Sequence, residues 1–70
     1  MVSAREVIAA FQRGGFQIER QSGSHVRLSH AERLVMVTVP MHGGRDLPTG
    51  TLHSILKQAG LTVAEFIALL

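Results

Sequence analysis

Four histidines stand singly along this 70-residue chain, at positions 25, 30, 42 and 53, and one has neighbours that could make it chemically useful. His25 follows Ser22-Gly23-Ser24, a turn sequence whose backbone N–H groups can face solvent and meet an anionic oxygen. A histidine titrates near neutrality, so it can take or give a proton during phosphodiester cleavage. Arg27 emerges two residues on, from the same side of an extended strand, within reach of the same phosphate. Six of the seven cations are arginines, at 5, 13, 20, 27, 33 and 45. A guanidinium meets two phosphate oxygens with two parallel donors, which an ammonium cannot do. The opposing reading is an exposed, idle strand histidine on an ordinary solvated surface. Residue types alone leave both standing.

The other candidates are weaker. His42 lies just past Pro40 in a glycine-containing loop, where it is either a second proton-transfer group or substrate contact, or simply bonds its own loop. His53 and Lys57 are four apart on one helix face. Lys57 could meet a phosphate or an acidic partner, while His53 reads as plain surface. His30 falls in a turn and reads as inert. Ser22 and Ser24 read as turn formers or phosphate donors, since no acidic residue is placed to orient a base for a serine nucleophile.

Metal chemistry is not expected. There is no His-x-His or His-Glu-x-x-His pattern, and no pair of carboxylates lies close in sequence. The absence of cysteine removes disulfides and thiolate chemistry. No apolar run approaches the roughly 20 residues of a membrane span, and the N-terminus has no apolar signal region. A soluble, cytoplasmic, single domain over residues 1–70 is expected, with 46% hydrophobic residues and a net charge of +2.

The elements that must hold these residues are readable from period and punctuation. Ser3-Ala4-Arg5-Glu6 has the form of a capping box, and Ala4, Val7, Ile8 and Phe11 recur at helical spacing up to Gly14-Gly15. A helix is predicted from Ala4 to Arg13. Phe16 to Glu19 alternates as a strand with Phe16 and Ile18 inward, and Gln21 to Ser24 forms a turn. A second strand from Ser24 or His25 to Ser29 sends Val26 and Leu28 to the core and leaves His25, Arg27 and Ser29 on the wet face. After a polar turn at His30 to Arg33, Leu34 to Val39 gives a third strand with Val35, Val37 and Val39 inward, ended by Pro40. Residues 41 to 50 read as a loop. Leu52, Ile55, Leu56 and Ala59 stripe a second helix that Gly60 ends. Thr62-Val63-Ala64-Glu65 opens a short last helix with Val63, Phe66, Ile67 and Leu70 apolar. Single apolar stripes on both main helices place them on one face of the sheet. The result is an α+β two-layer domain of the double-stranded-RNA-binding type, α-β-β-β-α with a short C-terminal helix, whose other sheet face is free.

Three stretches, in order, then resemble the HicA (YcfA-like) toxin family of prokaryotic toxin–antitoxin systems. They are Gly14-Gly15-Phe16, Gln21-Ser22-Gly23-Ser24-His25, and Val37-Thr38-Val39-Pro40-Met41-His42 leading to Gly50-Thr51-Leu52-His53-Ser54-Ile55-Leu56-Lys57-Gln58-Ala59-Gly60-Leu61. The resemblance covers essentially the full length. It implies a cofactor-free ribonuclease acting on messenger RNA, with His25 as the catalytic histidine, inhibited by a HicB-type antitoxin. Phosphate contacts are then expected from Ser22, Gly23, Ser24, Arg20, Arg27, His42 and Lys57. An antitoxin that covers His25 would shut the site by occlusion. Many relatives carry a lysine-rich loop before the second helix where this chain has Arg45, Asp46 and Pro48. The rival readings are a non-catalytic RNA-binding module on the same fold and a pure protein-interaction domain. The first is disfavoured because Pro48-Thr49-Gly50-Thr51 offers no cation where such modules cluster lysines.

Overall fold

The computed structural model describes residues 2–70. The first helix, α1, runs Ala4–Arg13 and opens with the capping box that the sequence spells. Glu6 N donates to Ser3 Oγ at 3.3 Å, and Ser3 N donates to Glu6 Oε1 at 3.0 Å. Hydrogen bonding from Ser3 to the charged carboxylate, from its backbone N–H foremost and then from its side chain, holds Glu6 below its ordinary pKa. Three strands follow, β1 (Gln17–Ser22), β2 (His25–His30) and β3 (Val35–Pro40), paired antiparallel in the order β1-β2-β3. Two helices close the chain, α2 (Thr49–Ala59) and α3 (Val63–Leu69). The fold is therefore the expected α+β arrangement. Among the described residues no helix is long and apolar enough to cross a membrane.

The core is built from the predicted stripes. Val7 and Phe11 of α1, Val26 and Leu28 of β2, Val37 and Val39 of β3, and Ile55, Leu56 and Ala59 of α2 are all buried. Phe66 of α3 joins them, packing edge-on against Phe11, which stacks on Phe16 from the other side. The second capping box, Thr62 with Glu65, starts α3. Arg13 Nε donates to the Leu69 carbonyl at 2.6 Å and ties the far end of α3 to α1.

Several expectations need correction. The first strand runs on to Ser22 rather than ending at Glu19, which leaves a two-residue hairpin loop with Gly23 at φ +56 in its first position. Ile18 pairs with Leu28 and so shares its side of the sheet, yet it remains 45% exposed. The helices leave this edge strand uncovered, and every residue of β1 is exposed. The last helix is apolar as expected, with Phe66 its buried residue, while Val63, Ile67 and, just past its end, Leu70 are exposed because one face of a seven-residue helix suffices for the contact with α1. The loop before α2 is also less free than its composition suggests. Leu47 is 1% exposed in the core, its N–H donates to the Val2 carbonyl, and Asp46 bridges to Ser3. That anchor sets where α2 begins, at Thr49.

His30 belongs to the end of β2 and not to the turn. Its ring lies edge-on to Phe16 and its Nδ1 accepts from the Arg33 N–H at 3.2 Å, so it organises the β2–β3 turn. That turn ends on Leu34 at φ +55, a left-handed conformation that costs a leucine about 1 kcal/mol or more. Leu34 is 90% exposed, so no packing offsets that cost.

Candidate active site

A break in strand register builds the site. Gln17 pairs with Ser29 and Ile18 with Leu28, but the next partners are Arg20 with Arg27 and Ser22 with His25, so Glu19 is an extra residue in β1. Strict alternation from Phe16 and Ile18 would turn Arg20 and Ser22 toward the helices. The bulge at Glu19 reverses that phase and delivers both to the open face, as bulges beside functional sites do. Ser29 Oγ donates to the Glu19 carboxylate at 2.7 Å, which fixes the bulged residue.

The open face now carries a shallow cleft lined by Arg20, Ser22, His25, Arg27 and Thr38. Thr38 is opposite Arg27 on β3, and His25 is opposite Pro40. His25 itself is exposed, with the Ser24 hydroxyl 3.5 Å from its Nδ1. Two guanidinium groups sit on directly opposed residues of neighbouring strands. Like charges in that relation destabilise a sheet, so this pair works against folding. An anion bound between them would relieve the repulsion.

His25 also borders a second depression. It lies between the outer edge of β3 and α2, with Pro40, Gly50, Thr51, Ser54, Ile55 and Gln58 around it. His25 and Thr38 are thus the wall that two different environments share, one cationic and one uncharged, where apolar Pro40 and Ile55 stand beside hydroxyl and amide groups.

The remaining candidates are distributed differently. Gly23 and Ser24 form the turn that carries His25 into β2. His42 and Lys57 are exposed and line neither depression. His53 is exposed on α2. Two arginines are committed to structure: Arg13 to the end of α3, and Arg33, whose guanidinium donates to the Gly60 carbonyl at the end of α2. Among the described residues no three histidine or carboxylate side chains gather at one point. Sequence reading missed Thr38 and the groove residues Gly50, Thr51, Ser54 and Gln58. Strand parity between Val37 and Val39 could have placed Thr38 on the open face; nothing local could have brought α2 beside it.

A family model described as the HicA toxin of bacterial toxin–antitoxin systems matches residues 4–61. The chain belongs to the HicA toxin family. The match spans the α1-β1-β2-β3-α2 unit, including the bulge, the Gly23 turn and His25, and α3 lies beyond it. Membership of the HicA family makes this the toxin side of a toxin–antitoxin pair, with an antitoxin as its kind of partner. No curated protein sequence matches the chain at a significant level.

Proposed function

We propose that this HicA-family chain, acting as one domain over residues 1–70, is a metal-independent endoribonuclease that cleaves messenger RNA through His25. A HicB-type antitoxin neutralises it by covering that residue. The observation that carries this reading is the placement of exposed His25 beside the opposed Arg20 and Arg27, a cationic cleft whose cost to folding makes sense if a phosphate sits in it. Ser22 and Thr38 add neutral groups to the same cleft, and the Ser24 hydroxyl stands 3.5 Å from His25 Nδ1.

In the simplest sequence His25 removes the proton from a ribose 2′-hydroxyl, the 2′-oxygen attacks the adjacent phosphorus, and the bond from phosphorus to the 5′-oxygen breaks. Alternatively His25 protonates the leaving 5′-oxygen. Either route yields a 2′,3′-cyclic phosphate and a 5′-hydroxyl. Arg20 and Arg27 stabilise the charge that builds on the phosphoryl oxygens in the transition state. Since His42 and Lys57 stay outside the cleft, water is the best-placed partner for the complementary proton transfer. Incubation of RNA with the purified chain in the presence of a chelator tests this. Cyclic-phosphate and 5′-hydroxyl ends are expected; 5′-phosphate ends, or activity that requires magnesium, would sink the mechanism.

The arginine pair supplies a second test. Threonine suits an exposed strand position and removes the repulsion. Arg27→Thr is therefore expected to stabilise the fold by roughly 0.2–1 kcal/mol while slowing RNA cleavage. Urea midpoints and cleavage rates measured on the same samples check both halves. A variant that is both less stable and equally active contradicts the account of the cleft.

A further inference from the structure

The groove between β3 and α2 has the wrong chemistry for a phosphate and the right one for a nucleobase. Pro40 offers a flat apolar wall, while Thr51, Ser54 and Gln58 offer neutral hydrogen-bonding groups. No Asp, Glu, Lys or Arg is among its lining residues. Its volume of about 430 Å³ falls within the range of roughly 300–1,000 Å³ common for small-ligand sites. Gln58 Oε1 accepts the Thr38 N–H on the free edge of β3 at 3.4 Å. With its oxygen engaged there, the amide has its NH₂ group left to donate. Gly50 contributes no side chain, and a Cβ added there would meet nothing within 4 Å.

We propose that this groove receives the base of a nucleotide flanking the scissile phosphate, with Ser54 and Gln58 as the residues that set base preference. The inference rests on the ribonuclease reading above and extends it to specificity. Its geometric basis is that His25 and Thr38 border both depressions. A nucleotide whose phosphate lies between Arg20 and Arg27 against His25 has its neighbouring base on the far side of the same imidazole. The Gln58 NH₂ favours a base that presents an acceptor, the Thr51 and Ser54 hydroxyls can donate or accept, and the proline ring gives the base a surface to lie on. Neutral hydrogen bonds of this kind are individually modest, so the preference is graded and not absolute.

The test maps cleavage positions on an RNA pool with randomised sequence, using the full-length chain, with thermal melting of each variant run in parallel. The wild type is expected to favour particular bases next to the cut. In Ser54→Ala the ratio of cleavage at favoured over disfavoured bases is expected to fall about 3- to 10-fold. Gly50→Leu, whose Cβ has open space around it and which uses a good helix former, is expected to narrow the groove and to flatten or shift the preference while melting like the wild type. If both variants fold and keep the wild-type distribution, or if the wild type shows no preference, the proposal is overturned. It is equally overturned if the distribution is unchanged but inhibition by the antitoxin is lost, which would assign the groove to a protein partner. A wild type that cuts no RNA at all would remove the ribonuclease reading itself, a result distinct from intact cleavage with unaltered preference.

Discussion

His25→Ala is expected to slow RNA cleavage by about 10²- to 10⁴-fold, the range a single general acid or base supplies, and to leave the fold intact. The side chain is exposed at the first residue of β2 and contributes nothing to the core, so its removal leaves no cavity. The strand is held by backbone pairing on both sides, to Ser22 on β1 and Pro40 on β3, and not by the imidazole. Thermal melting should therefore match the wild type within the narrow range of surface substitutions, about ±0.5 kcal/mol. In cells the same substitution should abolish growth arrest and leave messenger RNA intact. The two readouts together separate the readings of the family fold. A non-catalytic RNA-binding module would keep its effect on growth after the change, because the arginine cleft survives it. Equal toxicity of wild type and His25→Ala would remove His25 from the mechanism.

The sequence made His25 and Arg27 legible because they lie on a regular strand, where parity alone decides the face. Val26 and Leu28 mark the inner side, and the two polar residues between and before them must point the other way. Arg20 and Ser22 were not legible in this manner. Counting by twos from Phe16 turns both of them inward, and only the extra residue at Glu19 corrects the phase. A polar run such as Glu19-Arg20-Gln21-Ser22 carries no apolar alternation from which a slip could be detected, so the bulge is visible only in the pairing. Ile18 shows the same limit for burial. Its face is given by pairing with Leu28, but its exposure depends on how far the helices reach over the sheet, which is a tertiary quantity.

The helices were legible for local reasons. Both capping boxes close within four residues, and Gly60 at φ +72 ends α2 where its side chain's absence permits the left-handed turn. Leu47 was hidden because a single leucine between Asp46 and Pro48 has no periodicity to announce it. The second wall of the site was hidden for a longer-range reason. Ser54 and Gln58 stand outside the apolar stripe of α2, and only packing that helix beside β3 brings them to the groove, a contact between residues some 15–20 positions apart. Sequence pattern thus placed His25 on the open face of the sheet, and tertiary packing supplied the two depressions it borders.

Phe11→Ala is expected to have the opposite signature to His25→Ala: loss of the fold with the proposed catalytic residues untouched. Phe11 is fully buried, stacked on Phe16 with ring centroids 5.0 Å apart and set edge-on to Phe66 at 6.1 Å. Its ring touches the entry to β1 and the last helix together. Truncating a buried phenylalanine costs about 3–5 kcal/mol. A domain of this length has a total stability of only about 3.5–10 kcal/mol at roughly 0.05–0.15 kcal/mol per residue. The variant therefore stands near or past the point of unfolding. Circular dichroism and urea titration should show a lost or strongly shifted transition, whereas Ile67→Ala, at a position 60% exposed on α3, should melt within about 0.5 kcal/mol of the wild type. Toxicity should vanish in Phe11→Ala as it does in His25→Ala, but for a different cause. Loosening Phe16 frees the start of β1, and with it the bulge that points Arg20 toward His25. An excess of an antitoxin that recognises the folded chain should restore part of the helical signal of Phe11→Ala by mass action. A Phe11→Ala chain that melts like the wild type would show that α1, the sheet edge and α3 do not depend on this three-ring contact.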